Sequence, residues 1–256
     1  MVNFGVFFTC YTEVAAVEYA INTLKTIYPD CPVYLVSDGG ADYSFLKQKH
    51  SNIETLREYD SRGFIPTITK ETYRTKDLQA KIKDSVSTFM DRVNRAIDYC
   101  QRDVMLIMEP DVLVRNKLMY FPEHAHLLGS RINEGLSYDL RKVVTSIPGS
   151  IDVNHWGATP ALFRSDTYKI IHGLIQNDPG LLARLTESDE RLANYDVLLS
   201  VLFALVGKEE VFNPEIVECL RTPFWRESWH PLVHQFREKY PKKSEGYMGR
   251  HAEEVG

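Results

Sequence analysis

In the first half of the chain, short apolar runs alternate with segments that have helical spacing. The apolar run at residues 2–10 is followed by a segment that repeats an apolar residue every three or four positions. These residues are Val14, Val17, Ile21, Leu24 and Ile27. The pattern predicts a strand and then an amphipathic helix. Apolar runs at 32–37 and 53–57, separated by a helical segment at 43–50, repeat that order. Such alternation predicts an α/β fold with a mostly parallel central sheet and flanking helices.

The clearest helical pattern covers residues 82–100 and leads directly into the apolar run Val104–Met108. We therefore predict an amphipathic helix followed by a buried strand. This strand ends in two carboxylates one residue apart, Glu109 and Asp111. Ahead of the helix, residues 58–77 show no clear period and predict a long loop.

After residue 115 the elements no longer alternate regularly. The predicted elements are strands near 124–129, 158–164 and 215–220, and helices after Ser165, after Pro179 and over Tyr195–Val206. The segment 135–151 is too mixed to assign to an element. Because the chain shows no repeat or linker, we expect a single domain over 1–256 with a mixed C-terminal half and a charged tail at 238–256.

Composition excludes several classes of partner. The formal net charge of -5 gives no electrostatic reason to expect nucleic acid, which usually binds to a basic face. The four cysteines are widely spaced without a CxxC pair, which favours buried thiols in a reducing compartment. No apolar run is long enough to span a bilayer, and the N-terminal residues do not resemble a signal peptide, so we expect a cytoplasmic protein without a transmembrane segment. Nothing in the pattern specifies an oligomeric state.

Polar side chains follow several predicted strands at the same edge of the sheet. Glu109 and Asp111 follow one strand, and Thr9, Tyr11 and Asp38 follow its neighbours. Ligands bind at the carboxyl edge of α/β sheets, and paired carboxylates there are suited to a divalent cation. The same residues have ordinary structural roles, because acidic residues often cap the segment after a strand and an Asp-Gly pair often forms a turn.

The block from Asn94 to Asp111 resembles a segment of the nucleotide-sugar glycosyltransferases of the GT-A fold. In that family a helix with an Arg-Asn pair leads into a strand that ends in an Asp-x-Asp (DXD) motif. Here Val93 replaces the usual arginine and Glu109 replaces the first aspartate. The resemblance implies that Asp111 binds Mn²⁺ or Mg²⁺, with Glu109 on the metal, a metal-bound water or the ribose.

Other fragments resemble the same family. Residues 6–11 resemble its opening strand, 33–39 its second strand, and 154–158 the segment that lines its sugar pocket. The positions implied as nucleotide or sugar contacts are Thr9, Cys10, Tyr11, Asp38, Gly39, Asn94, Glu109, Trp156 and Gly157. A Trp beside a Gly is also an ordinary packing arrangement, so these fragments support the resemblance jointly.

Two further roles follow from the resemblance. In inverting members a carboxylate at the start of an apolar helix is the general base, which implies Asp196, with Glu190 as a substitute. Acidic residues in a first turn also compensate the helix dipole without any chemistry. The late segment 229–236 resembles one that supplies a metal-binding histidine, which implies His234, with His230 as the alternative. Taken singly, each histidine is an ordinary surface or packing residue.

The resemblance thus implies a metal-dependent glycosyltransferase, either hexosyl or pentosyl, that uses a UDP- or GDP-linked sugar donor and an acceptor hydroxyl, as on a glycan. It also implies a Rossmann-like nucleotide-binding half at about 1–115 and a sugar and acceptor half at about 116–237. One alternative is a sugar-phosphate nucleotidyltransferase, although the first strand lacks the glycine-rich loop usual in that class. The other is an inactive nucleotide- or sugar-binding domain, which the departures at Val93 and Glu109 favour.

Overall fold

The computed structural model describes residues 2–38, 40–57, 76–132, 136–153, 156–218 and 230–234. Its strands are β1 (Gly5–Cys10), β2 (Val33–Ser37), β3 (Ile53–Arg57), β4 (Val104–Met108), β5 (Val112–Val114), β6 (Leu127–Ile132), β7 (Trp156–Arg164), β8 (Glu210–Phe212), β9 (Ile216–Glu218) and β10 (Leu232–His234). Its helices are α1 (Val14–Ile27), α2 (Leu46–Lys49), α3 (Lys76–Cys100), α4 (Tyr138–Thr145), α5 (Ser165–Asn177), α6 (Pro179–Ser188) and α7 (Tyr195–Leu205), with a 3-10 helix at Glu190–Ala193 between α6 and α7.

Seven strands form the main sheet, in the order β3-β2-β1-β4-β7-β6-β8. All neighbouring pairs are parallel except those that involve β7, which runs antiparallel to β4 and to β6. The carboxyl ends of β1, β2, β4 and β6 therefore share one edge with the amino end of β7. The predicted α/β architecture, with a mostly parallel sheet and flanking helices, is confirmed.

The central strands are apolar along their whole length because helices cover both faces of the sheet. In β1, Phe7 packs into a cluster with Phe89 of α3 on one face. Its neighbour Phe8 belongs to a second cluster with Ile21 and Leu24 of α1 on the other face. Successive side chains of a strand point to opposite faces, which explains why the run 2–10 showed no alternation.

A second, three-stranded sheet has the order β5-β10-β9. In it β10 pairs antiparallel with β5 and parallel with β9, so residues 232–234 lie beside residues 112–114. The sequence pattern predicted β9, at 215–220, but missed β8 and β10, which are each three residues long. It also left 135–151 unassigned, where the structure has α4.

Two predicted features fall largely outside the described residues. Of the predicted loop at 58–77, only residues 76 and 77 are described, and they begin α3. The predicted charged tail at 238–256 lies entirely outside. Within the described part of the chain, no helix combines the length and the apolar character that crossing a membrane requires.

Candidate functional site

Three side chains with metal-binding groups converge at the edge where β4 ends. Glu109 follows β4, Asp111 directly precedes β5, and His234 is the last residue of β10. The antiparallel pairing of His234 with Val112 carries the imidazole to the carboxylates. One ligand atom from each of the three residues lies within 4.8 Å of the other two. The Nε2 atom of His234 is 3.7 Å from Glu109 Oε2 and 3.7 Å from Asp111 Oδ1.

The group is largely shielded from solvent. Asp111 and His234 are buried, whereas the Glu109 side chain is 25% exposed. Among the described residues, Asp111 Oδ1 is a buried oxygen without a hydrogen-bond partner. A buried carboxylate oxygen is costly unless a proton, a hydrogen-bond donor or a cation compensates it. The arrangement is therefore open to a ligand of positive charge.

The donor set fits a divalent cation. Ligands bonded at about 2.1 Å lie about 3 Å apart when adjacent in an octahedral shell and about 4.2 Å apart when opposite. The observed separations of 3.7 Å fall within that range. Carboxylates suit Mg²⁺ and Mn²⁺, and an imidazole nitrogen suits transition metals. The two carboxylates and the imidazole therefore fit a divalent cation in both distance and chemistry.

Negative charge is concentrated around Glu109. Burial raises the pKa of its carboxyl, the nearby His234 imidazole lowers it, and the charges of Asp111 and Asp196 raise it again, so that the pKa reaches about 7. Asp196, the predicted general base, is therefore close enough to Glu109 for its charge to act on that carboxyl. The third acidic side chain comes from α7, an element far along the chain from β4.

Local structure explains how α7 presents Asp196. The N-cap Asn194 accepts the backbone N–H of Asp196 with its Oδ1 atom at 2.8 Å, which fixes the first turn of the helix. The neighbouring Tyr195 ring stacks on Phe89 of α3, with centroids 5.3 Å apart and planes 12° apart. Glu190, the substitute base, begins the 3-10 helix, and its side chain lies outside the described part of the structure.

The predicted nucleotide contacts at β1 and β2 are also neighbours. Asp38 follows β2 and donates its backbone N–H to the Cys10 carbonyl at 2.9 Å. Its side chain is buried, accepts a hydrogen bond from Thr9 Oγ1 at 3.4 Å and forms an ion pair with Arg92 of α3. The sequence interpretation did not include Arg92. The available signal was a basic residue on the apolar face of the helix, three positions after Phe89.

Residues Cys10 and Tyr11 are held by buried polar contacts. Hydroxyl groups of Ser37 and Tyr43 donate to the Tyr11 carbonyl at 3.4 and 3.2 Å. The Cys10 thiol donates to the Val36 carbonyl, and burial raises the pKa of that thiol well above its usual value. Cys10 therefore turns its thiol into the core, while the Tyr11 side chain is 38% exposed at the strand end.

The remaining predicted positions are less completely described. Trp156 and Gly157 begin β7 and pair with the end of β6, at the same edge as Glu109, but nothing is described of the Trp156 side chain. Asn94 is half-buried on α3. Gly39 lies outside the described residues. Among the described residues, the side chains grouped closely enough to hold a metal ion are those of Glu109, Asp111 and His234, without His230.

Comparison with known proteins places this geometry on a known fold. No protein-family model matches the chain, and no curated protein matches it. An active-site mutant of LgtC matches with a TM-score of 0.58 at 13% identity, over 98% of this chain and 94% of that one. The galactosyltransferase LgtC in complex with donor and acceptor sugar analogues matches with a TM-score of 0.55 at 14% identity, over 99% and 95%. The chain therefore has the fold of these LgtC structures, and the predicted GT-A-like α/β fold is confirmed.

Proposed function

We propose that the chain is a metal-dependent glycosyltransferase, which moves a hexosyl or pentosyl group from a UDP- or GDP-linked donor to the hydroxyl of a glycan or another acceptor. One observation carries this proposal: Glu109, Asp111 and His234 converge at the carboxyl edge of the sheet. Open α/β sheets bind their ligands at that edge. The LgtC structure with donor and acceptor sugar analogues has the same fold and supports sugar transfer as the chemistry.

The cation is held by Asp111, Glu109 and His234. The imidazole favours Mn²⁺ over Mg²⁺, because Mg²⁺ binds mainly oxygen ligands. When bound, the cation supplies positive charge that stabilises the diphosphate leaving group. Asp111 would be the main ligand, because its buried Oδ1 atom accepts no hydrogen bond in the described structure and gains most from a positive charge. His230 does not belong to the group in the described structure and is set aside.

The donor binds across the strand ends. Thr9, Cys10 and Tyr11 lie at the end of β1, and the ion pair of Asp38 with Arg92 fixes the end of β2 beside them. The start of β7, with Trp156 and Gly157, lies at the same edge and would contact the sugar. Gly39 and Asn94 remain proposed contacts of the nucleotide or sugar.

Asp196 is the proposed general base for an inverting transfer. Its carboxylate takes the proton of the acceptor hydroxyl while the hydroxyl oxygen bonds to the anomeric carbon, and the bond from that carbon to the nucleoside diphosphate breaks. One feature supports this role: the charge of Asp196, in the first turn of α7, acts on Glu109 at the proposed metal site. Glu190 remains the substitute.

The test is an assay of UDP- and GDP-linked sugars with Mn²⁺, first for donor hydrolysis and then for transfer to simple glycosides. We expect release of nucleoside diphosphate that depends on Mn²⁺ and is lost in Asp111→Ala and His234→Ala. The exposed His124 gives a matched control, and His124→Ala should retain activity. In a parallel assay with a nucleoside triphosphate and a sugar 1-phosphate, formation of the nucleotide sugar with release of pyrophosphate would instead indicate a nucleotidyltransferase. Nucleotide binding that does not depend on Mn²⁺, together with no turnover of any donor, would indicate an inactive binding domain.

A further inference from the structure

We infer that Glu215 is a positioning residue that fixes His234 against Glu109 and Asp111, an inference that rests on the proposed metal site. His234 reaches the carboxylates on β10, a strand of only three residues. Strands this short have little stability of their own and depend on their neighbours for position. The contacts that hold β10 therefore decide where the imidazole lies.

The Glu215 carboxylate fixes the segment that follows β5 through hydrogen bonds to its backbone. It is buried, and its Oε1 and Oε2 atoms accept the N–H of Met119 at 2.9 and 3.1 Å. The Oε2 atom also accepts the N–H of Tyr120 at 3.0 Å. Hydrogen bonds from backbone N–H groups to an ionised carboxylate are among the stronger ones in proteins. A neutral side chain would not replace them at equal strength.

The backbone of Glu215 holds the other two strands of the small sheet. Its carbonyl accepts the N–H of Leu232, the first residue of β10, at 3.0 Å. Its own N–H donates to Asn213 Oδ1 at 2.9 Å, and Ile216, the next residue, begins β9. Glu215 therefore contacts the segment after β5, the start of β9 and the start of β10 at one point.

The anchored segment is itself fixed to the body of the domain. Leu118, which precedes the two N–H donors, accepts the N–H of Val2 with its carbonyl at 2.9 Å and donates its own N–H to the Tyr28 hydroxyl. Through Met119 and Tyr120, Glu215 thus links β10 to the part of the chain that also carries Asp111 and β5.

Leu232 and His234 lie two positions apart on β10, so their side chains share a face and the strand advances about 7 Å between them. Glu215 meets β10 at the Leu232 end, which makes it a support for the strand and not a metal ligand. Metal–ligand distances tolerate only about 0.2 Å of error. A small shift at Leu232 is therefore enough to weaken the contribution of His234.

The test measures Mn²⁺ affinity of the full chain by the electron paramagnetic resonance signal of free Mn²⁺. Glu215→Gln keeps the shape of the side chain but places an amide NH₂ where the carboxylate accepts N–H groups. We expect about a tenfold increase in the Mn²⁺ Kd, as for other residues that orient a ligand. The same substitution in a His234→Ala background should have no further effect, because the residue through which Glu215 acts is gone.

Two additional variants separate positioning from general stability. Lys25→Met removes another buried anchor, whose Nζ donates to the carbonyls of Cys31 and Ser51 at 2.7 Å each, ahead of β2 and β3. It should lower the unfolding midpoint and leave the Mn²⁺ Kd unchanged. If Glu215→Gln fails to fold, Asn213→Ala tests the same anchor, and it should raise the Kd to a smaller extent.

An unchanged Kd in the folded Glu215→Gln protein, or an equal loss with and without His234, would overturn the positioning role and leave the metal site intact. Absence of Mn²⁺ binding by the unsubstituted chain would overturn the metal site and the positioning role together. The two failures are thus distinguished by the unsubstituted protein alone.

Discussion

Arg92 and Asp38 form a buried ion pair that joins the middle of α3 to the end of β2, with each side chain only 3% exposed. Asp38 is one of the residues implied as nucleotide or sugar contacts, and in the structure its carboxylate faces a guanidinium and the Thr9 hydroxyl. Its first role is therefore to fix the end of β2 in place, and any contact with a nucleotide is made from a side chain already held by Arg92.

This pair leads to a prediction about stability. Arg92→Met leaves the Asp38 charge buried without its guanidinium, which costs about 3–5 kcal/mol of the free energy of unfolding. The double variant with Arg92→Met and Asp38→Asn should lose less free energy of unfolding than the sum of the losses in the two single variants. Urea unfolding measures both. As a control, Lys169→Met breaks the exposed pair of Lys169 with Asp98 and should leave the midpoint unchanged. Equal effects of Arg92→Met and Lys169→Met would contradict the structural role of the buried pair.

Packing between β1 and α3 gives a second prediction. A Cβ atom added at Gly5 would lie 2.9 Å from the Cys100 Sγ atom and closer still to its Cβ atom. Gly5→Ala should therefore destabilise the fold by about 1–3 kcal/mol through overpacking. Gly173, inside α5, has nothing within 4 Å of such an atom. Gly173→Ala should instead stabilise the fold by about 0.5–1 kcal/mol. Thermal or urea unfolding of the two variants should show shifts of opposite sign.

Sequence reasoning succeeded where the physical cause was local. The strands β1, β2 and β4 are covered on both faces and give continuous apolar runs, and the carboxylates Glu109 and Asp111 follow β4 directly in the chain. Glu109 and Asp111 therefore lie at the carboxyl end of β4, which is the edge where open α/β sheets bind their ligands.

The missed features depend on distant parts of the chain. The strand β10 is too short to give a period, and it exists because Leu232 and His234 pair with Val114 and Val112. The partner of Asp38 lies on α3, far along the chain, so no local spacing could connect it with Arg92. The resemblance already implied His234 ahead of His230, but only the pairing of His234 with Val112 explains how the imidazole comes close to Glu109 and Asp111.

Asp189 predicts how stability depends on pH. Its carboxylate is buried, which alone would raise its pKa, but hydrogen bonds from the Arg191 side chain and backbone and from the Ser137 N–H outweigh burial and lower it. A depressed pKa in the folded state gives stability that is present above the unfolded pKa, about 3.9, and is lost as pH falls through the folded pKa.

Asp189→Asn removes this contribution, so it should destabilise the protein by a constant amount above about pH 5 and by a shrinking amount at lower pH. The measurement is the free energy of unfolding of both proteins between about pH 2 and 7. A difference that stays constant across the acid range, or grows as pH falls, would show that the carboxylate is not stabilised by these bonds.

The proposed metal site of Glu109, Asp111 and His234 predicts that Mn²⁺ stabilises the folded protein. A ligand that binds only the folded state at a concentration of about 100 times its Kd adds about 2.7 kcal/mol to the free energy of unfolding. Asp111→Asn should abolish the shift of the unfolding midpoint with Mn²⁺. Without metal it should unfold at or above the midpoint of the unsubstituted chain, because it removes a negative charge that acts on Glu109. Asp103→Asn, at an exposed position before β4, should keep the full Mn²⁺ effect. A Mn²⁺ shift that survives in Asp111→Asn would place the cation elsewhere.

Asp196 distinguishes a catalytic carboxylate from a residue that only compensates a helix dipole. If it is the general base, Asp196→Asn should lower kcat by about 10²–10⁴-fold and leave the KM of the donor unchanged. The fold should be retained, because Asn194 still caps α7 through the backbone N–H of residue 196.

Asp139 is a matched control, since it is an exposed acidic residue in the first turn of α4. Asp139→Asn removes the same kind of dipole contact without any chemistry and should leave kcat unchanged. Steady-state kinetics with a saturating acceptor measure both variants. Similar small losses of stability with unchanged kcat in both proteins would assign Asp196 to the helix alone, and the base would then have to come from another carboxylate near the acceptor.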